Sequence, residues 1–250
     1  MIKLELDHRM KRSMLDQLVD QLKKYHVESR LESGETFPDY QAVATANALD
    51  ELLLEDAYYR LVKEGYLRHS KDRFTVFRLP FVPLESIRTK TMYETIEALQ
   101  MTPSFVTLHV EFLPNLPSIF NAAIRPGVSY VKITRLYFAD QIPLVYIESF
   151  YDKPLFKGFD SLDFMQLKVF KYFQDTWQRR IGSHHQTIDI VQAPAAINET
   201  LNQPLDASVI RFVSETTDQH GDILAHAIIH TSMLYAIESV NLLHPETTAL

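Results

Sequence analysis

The sequence predicts an α+β fold in two domains: an N-terminal three-helix head with a β-ribbon, then an antiparallel sheet with helices. Three observations predict it. Residues 10–77 read as helix, helix, helix and hairpin in 3.6-residue and then two-residue periodicity. From Pro103 onward the apolar pattern changes to short β-branched and aromatic runs with helical runs between them, without regular βαβ alternation. Between the two lies a stretch broken by Pro80 and Pro83. The expected division is a head over 1–78, a linker over 79–102 and a sheet domain over 103–250.

In the head, Leu15, Leu18, Val19, Leu22 and Tyr25 recur at helical spacing, which predicts a first helix over 10–30. Ser33-Gly34-Glu35 breaks it. Pro38 suits the first turn of a second helix, whose small apolar face is Val43, Ala44 and Ala48. Asp50 is the expected N-cap of a third helix, with Leu54, Ala57, Tyr58 and Leu61 inward, and Glu64-Gly65 ends it because Gly65 can take positive φ. Residues 66–68 and 74–77 form the two strands of a ribbon around Ser70-Lys71-Asp72-Arg73. Helix–helix–helix–hairpin in about 70 residues is the winged helix-turn-helix pattern, whose third helix enters a DNA groove.

Past the head, Ser86 to Leu99 is expected to be helical. Strands are expected over 104–112, 128–138, 142–151, 184–192, 208–218 and 223–234, and helices over 116–124, 163–181 and 195–201. The 163–181 helix is expected to carry Met165, Val169, Phe173 and Trp177 on one side.

Composition bounds the function. A chain of 250 residues that is 46% hydrophobic can bury a sizeable core. It has no cysteine, which excludes disulfides, iron–sulfur clusters and thiolate metal sites and fits a cytoplasmic setting. No apolar leader is read at the N-terminus, no run approaches a membrane span, and no membrane partner is expected. The net charge is −7, and residues 1–80 hold 13 Lys/Arg against 14 Asp/Glu, without the positive excess that phosphate binding rewards. Nucleophile-elbow, P-loop and Rossmann signatures are missing, so no catalytic residue and no cofactor are expected. His226 and His230 would lie about 13 Å apart on a strand, too far to share an ion, and no metal is expected.

Residues 15–77 resemble the N-terminal domain of the GntR family of bacterial transcription regulators. Pro38, Ala44, Ala57, Leu61, Glu64 and Gly65 match that family's pattern outright, and Phe37, Val43, Leu49 and Leu54 match in kind. The positions that would face DNA depart from it. Asp39-Tyr40 replaces Ser-Glu, Gln41 stands where the family has an arginine, Asp50-Glu51-Leu52 opens the recognition helix, and the wing-tip glycines are replaced by Lys71, Asp72 and Arg73. Candidate phosphate contacts are Lys23, Lys24, Arg68, Lys71 and Arg73, and base readout would fall to Gln41, Asp50, Glu51 and Leu52. Acidic residues suit a first helical turn by opposing the helix dipole, but they supply no attraction to phosphate. An acidic and partly apolar recognition face suits a protein contact better.

The second half resembles the UTRA effector-binding domain of that family's HutC branch, which implies a chorismate-lyase-like fold. The landmarks are Arg135 to Asp140 with Pro143, then Arg211 to Asp218, Gly221 and His226 to Tyr235. The resemblance implies a pocket with two arginines two residues apart, two glutamates and a tyrosine. Here the first arginine is Arg135, the second is Tyr137, the glutamate positions are Ile147 and Ala225, and Tyr235 corresponds to the tyrosine. Glu148 and His226 stand beside those lost positions, and a one-residue step along a strand turns a side chain to the other face. The candidate effector residues are Arg135, Tyr137, Glu148, His226, His230 and Tyr235. A phosphosugar held in the family manner is not expected, and a less charged ligand or none is. The resemblance implies a homodimeric, ligand-responsive regulator of operator DNA; the alternative is a divergent member working as a ligand-binding or protein-interaction module.

Overall fold

The computed structural model describes residues 2–7, 9–78, 82–83, 86–87, 90–120, 128–157, 161–235 and 237–238. The head opens with α1 (Met14–Glu28), which begins four residues later than its apolar spacing suggests because Ser13 caps it and accepts from the Asp16 amide. α2 (Tyr40–Asn47) is capped by Asp39 and α3 (Glu51–Lys63) by Asp50. Pro38 therefore precedes the α2 cap instead of entering the first turn; its carbonyl accepts from the Tyr58 hydroxyl at 2.9 Å. α3 ends at Glu64, and Gly65 follows at φ +82°. The ribbon is β1 (Leu67–Ser70) and β2 (Arg73–Val76), joined at Lys71 and Asp72, both with positive φ as a two-residue hairpin turn requires. Phe37, Tyr58, Tyr66 and Phe74 fill the head core together with Leu18, Leu22, Leu54 and Leu61.

β3 (Val82–Pro83) pairs in parallel with β10 (Ile237–Glu238). The helix expected over Ser86–Leu99 is divided: Ser86 and Ile87 are helical, with the Lys90 amide donating to the Ser86 carbonyl at 3.0 Å, and α4 (Met92–Ala98) starts anew where extended Thr91 closes a reciprocal capping box with Glu94. The body is a six-stranded antiparallel sheet in the order β4 (Pro103–Leu113), β5 (Tyr130–Ala139), β6 (Ile142–Asp152), β9 (Ile223–Thr231), β8 (Ser208–Asp218), β7 (Ile181–Gln192). α5 (Val169–Trp177) lies between β6 and β7 in the chain, and α6 (Ala195–Thr200) between β7 and β8. Of the expected 116–124 helix, Ser118–Phe120 is a 3-10 turn and positions 121–124 lie outside the described residues. The expected 163–181 helix is reduced to α5. Residues ahead of it give their carbonyls to the sheet instead of to helical amides: Arg135 donates to those of Phe164 and Leu167, and Thr107 donates to that of Met165.

Two coverings share one face of the sheet. α5 packs Val169 and Phe173 against Val131, Ile133, Tyr151 and Ala225. Toward the other end, Ala139, Val145, Ile147 and Phe212 join one continuous core with the head. The contact is close: a Cβ placed on Gly65 would come within 2.6 Å of the Ile142 side chain. Lys23 donates to the carbonyl of Asn202, just past α6, and Lys24 pairs with Asp206 at 2.7 Å. Among the described residues, no helix is long and apolar enough to cross a membrane.

His26 lies at the centre of the head. Its ring is fully buried, bonded to the Phe77 carbonyl at 3.0 Å and set edge-on to Tyr66. Burial, and then the charge of Arg78, pushes its pKa from 6.5 to about 4. The unfolded chain binds this proton at higher pH than the native chain does. Stability is therefore complete above pH 6.5 and falls as pH drops toward 4, by up to about 3 kcal/mol from this residue alone. His184 and His230 are pushed the same way by burial and add to the slope. Urea unfolding across this range should show the acid loss, and His26→Gln should remove about one proton from it. An unchanged slope in the variant would refute the assignment.

Candidate effector cavity and the exposed face of the head

Where the two coverings of the sheet part, a cavity of about 520 Å³ remains, within the range of small-molecule sites. Its floor is mostly apolar: Ile147 on β6 with Ala225, Ala227 and Ile229 on β9, and the hydroxyl of Ser149 among them. One wall carries Phe105 and Arg135; the other carries His184, Gln186, Ser214 and Thr216 from β7 and β8. The roof comes from Ile87, from Lys90 to Thr95, and from the outward side of α5. Ile87 and Lys90 to Thr95 belong to the stretch between the ribbon and β4 in the chain.

Arg135 is 6% exposed. Its guanidinium donates to the Thr107 hydroxyl and to the two carbonyls that fix the α5 approach, and it lies 4.3 Å from the Phe105 ring centre. These partners are neutral, and among the described residues no carboxylate pairs with it. Tyr137 lines the same cavity, beside Phe105. His184 bonds Thr216 through Nδ1 at 2.8 Å, while its Nε2 is buried with no hydrogen-bond partner. Burial lowers its pKa.

The other expected effector residues do not join the cavity. The register sets Arg135 opposite Ile147 and Thr134 opposite Glu148, so strand alternation turns Glu148 to the reverse face. There it pairs with Lys132 at 2.7 Å, and Lys132 in turn reaches Glu111. His226 and His230 share that reverse face; His226 meets Glu215 at 3.3 Å and the edge of Phe120, and His230 lies near Tyr146. Tyr235 is buried beyond the end of β9 against Phe212, where burial pushes its phenol up. The β7–β8 wall and the roof were not singled out from sequence. The alternation His184, Gln186 and Ser214, Thr216 was the readable signal for the wall.

The candidate DNA residues divide too. Lys23 is 3% exposed, ion-paired to Glu64 at 2.5 Å, and turned toward the body; Lys24 is held by Asp206. Lys23 is a correction, since Glu64 at the end of α3 claims it inside the protein; Lys24 stays at the surface, paired with Asp206 beyond α6. Arg68, Lys71 and Arg73 are exposed on the ribbon, with Arg68 also 4.3 Å from the Phe77 ring centre. On α3, Asp50 is engaged with the Leu53 amide and Glu51 with Gln41. Leu52 is 70% exposed and Tyr59 46%.

The UTRA domain family model matches residues 121–231. An uncharacterized HTH-type transcriptional regulator, YurK of Bacillus subtilis, is 25% identical over 125 residues. That match spans half of this chain and only 52% of the relative. PhnF from Mycobacterium smegmatis shares the fold at a TM-score of 0.57 and 12% identity, over 90% of this chain and 99% of its own. YydK of Bacillus subtilis, titled a possible transcriptional regulator, does so at 0.52 and 14%, over 93% and 100%.

Proposed function

We propose that this chain, whose residues 121–231 match the UTRA domain family model, is a GntR-type, ligand-responsive regulator of operator DNA. One observation carries the reading. The cavity is roofed by Ile87 and by Lys90 to Thr95, which lie between head and sheet in the chain. A ligand filling the cavity must displace or order that roof, and any difference in affinity between two head placements becomes a shift between them. The chain acts as a homodimer in the cytoplasm, so that two heads meet two half-sites and their separation is the regulated quantity. We read the cavity as a binding site; the carboxylate of Glu94 on its lining is occupied in the α4 cap.

Phosphate attraction falls to Arg68, Lys71 and Arg73. Titrating low-salt DNA fragments should therefore show binding with a slope of log affinity against log salt equivalent to about three phosphates per head. A slope near zero, or no binding at low salt, would remove the DNA half of the reading. A second reading has its own support. Exposed Leu52 and Tyr59 lie among Asp39, Glu51 and Asp56, a face with an apolar centre and an acidic surround that suits a basic protein surface.

A further inference from the structure

The cavity's charge is opposite in sign to the chain's. In a protein of net charge −7, the described residues of its lining include Lys90, Arg135, Lys168, Lys171 and Arg180 against the single carboxylate of Glu94. Glu94 accepts from the Thr91 amide and hydroxyl in the helix cap. Lys171 is partly answered by Asp175 at 3.0 Å, and Lys168 lies 4.0 Å from the Tyr93 ring centre. Among the described residues, no carboxylate pairs with Lys90, Lys168 or Arg180. Beneath them, Arg135 keeps a buried charge balanced only by neutral oxygens. A buried charge without a counter-charge is costly, and the low-dielectric wall carries its attraction into the cavity.

The floor and far wall constrain the rest of the ligand. Ile147 and Ala225 occupy the two floor positions, with Ala227, Ile229 and the ring of Phe105 around them. A polyhydroxylated ligand would lose its water against this surface and, the Ser149 hydroxyl aside, regain few hydrogen bonds there. The hydroxyl and imidazole groups of the β7–β8 wall, with the His184 Nε2 that has no partner among the described residues, offer hydrogen bonds on that side, and the Tyr137 and Ser149 hydroxyls add two more elsewhere on the lining. The volume of about 520 Å³ is far larger than an inorganic ion needs.

We infer that the cavity binds an amphipathic organic anion: an aliphatic or aryl body on the Ile147–Ala227–Ile229 floor, with a carboxylate or phosphate head under the mouth cations. This rests on the reading of the cavity as an effector site and names the class of effector. It departs from the expectation of a less charged ligand, which considered only strand positions; the roof and α5 bring cations that those positions do not contain.

The test uses the full chain without DNA. Calorimetry and thermal shift compare octanoate and octyl phosphate with octanol, acetate and a hexose phosphate. One of the two amphipathic anions should bind and raise the melting temperature. Octanol, acetate and the hexose phosphate should each bind at least about tenfold more weakly. Which head group wins separates a carboxylate site from a phosphate site. The double variant Lys168→Gln, Arg180→Gln changes exposed side chains, so it should melt as the parent does yet bind the preferred anion about tenfold more weakly. Equal binding of octanol, tighter binding of the hexose phosphate, unchanged affinity in the double variant, or no binding of either anion overturns the inference. Failure here while DNA binding persists leaves the regulator reading intact. Anion binding that never alters DNA affinity would count against the regulator reading and not against this one.

Discussion

Lys23→Ala is expected to destabilise the chain by about 3 kcal/mol or more, whereas Lys24→Ala should cost no more than about 0.5 kcal/mol. The two lysines are neighbours in sequence and look equivalent as phosphate contacts. Their surroundings separate them. The Lys23 side chain is 4% exposed and its partner Glu64 11%, so removing the ammonium leaves Glu64 buried with only the half-exposed Arg60 for a partner. It also removes the donor to the Asn202 carbonyl, which ties the head to the body. Burial lowers the Lys23 pKa while Glu64 opposes that fall, as expected for a cation retained in the interior by its counter-charge. The Lys24–Asp206 pair is exposed on both sides, where ion pairs contribute little. Urea denaturation of the two variants measures the contrast. If both lose little stability, and each instead lowers the salt slope of DNA binding by about one phosphate, both lysines are surface phosphate contacts and the head is not docked as described.

Local signals carried the head. Asp50, the Leu54–Leu61 stripe, Gly65 and the ribbon each answer to chemistry within a few residues, a capping oxygen, a helical period or a positive φ, and each was legible. Strand parity was legible for the same reason, which is why Glu148 could be separated from Arg135 before the register was seen. What did not follow from sequence were choices made by distant partners. Lys23 is buried because Glu64 and Asn202 converge on it from other elements. The helix expected over 163–181 loses its first turns because Arg135 and Thr107, far earlier in the chain, capture the carbonyls those turns would use. Periodicity identifies the two faces of a strand but not what covers each. His230 and Arg135 are both buried residues on inner strands of one sheet, yet only one of them meets the cavity. The roof was hidden most completely, because residues 87–95 read as a connection and its contacts depend on where the head docks.

The triple substitution Asp50→Ser, Glu51→Arg, Glu55→Arg is expected to raise affinity for double-stranded DNA by at least about a hundredfold at low salt and to steepen the salt slope by about two phosphates per head. The helix should survive the change. Asp50 caps α3 by accepting from the Leu53 amide, and serine is an equally good cap. Replacing Glu51 frees Gln41 from their mutual hydrogen bond and loses only the modest dipole contribution of one first-turn acid. The buried stripe of Leu54, Ala57, Tyr58 and Leu61 is untouched, so the melting temperature should move little. What changes is the sign of the exposed face, by five charges. Electrophoretic shift or fluorescence anisotropy over a salt series measures both affinity and slope. A gain with random DNA as well as operator DNA is the expected form, because charge alone was altered and phosphate contacts carry no sequence information. No gain in a folded variant would mean that charge is not what holds DNA away. The apolar pair Leu52 and Tyr59 would then be better understood as the centre of a protein contact, with the acids around it setting the charge of the partner.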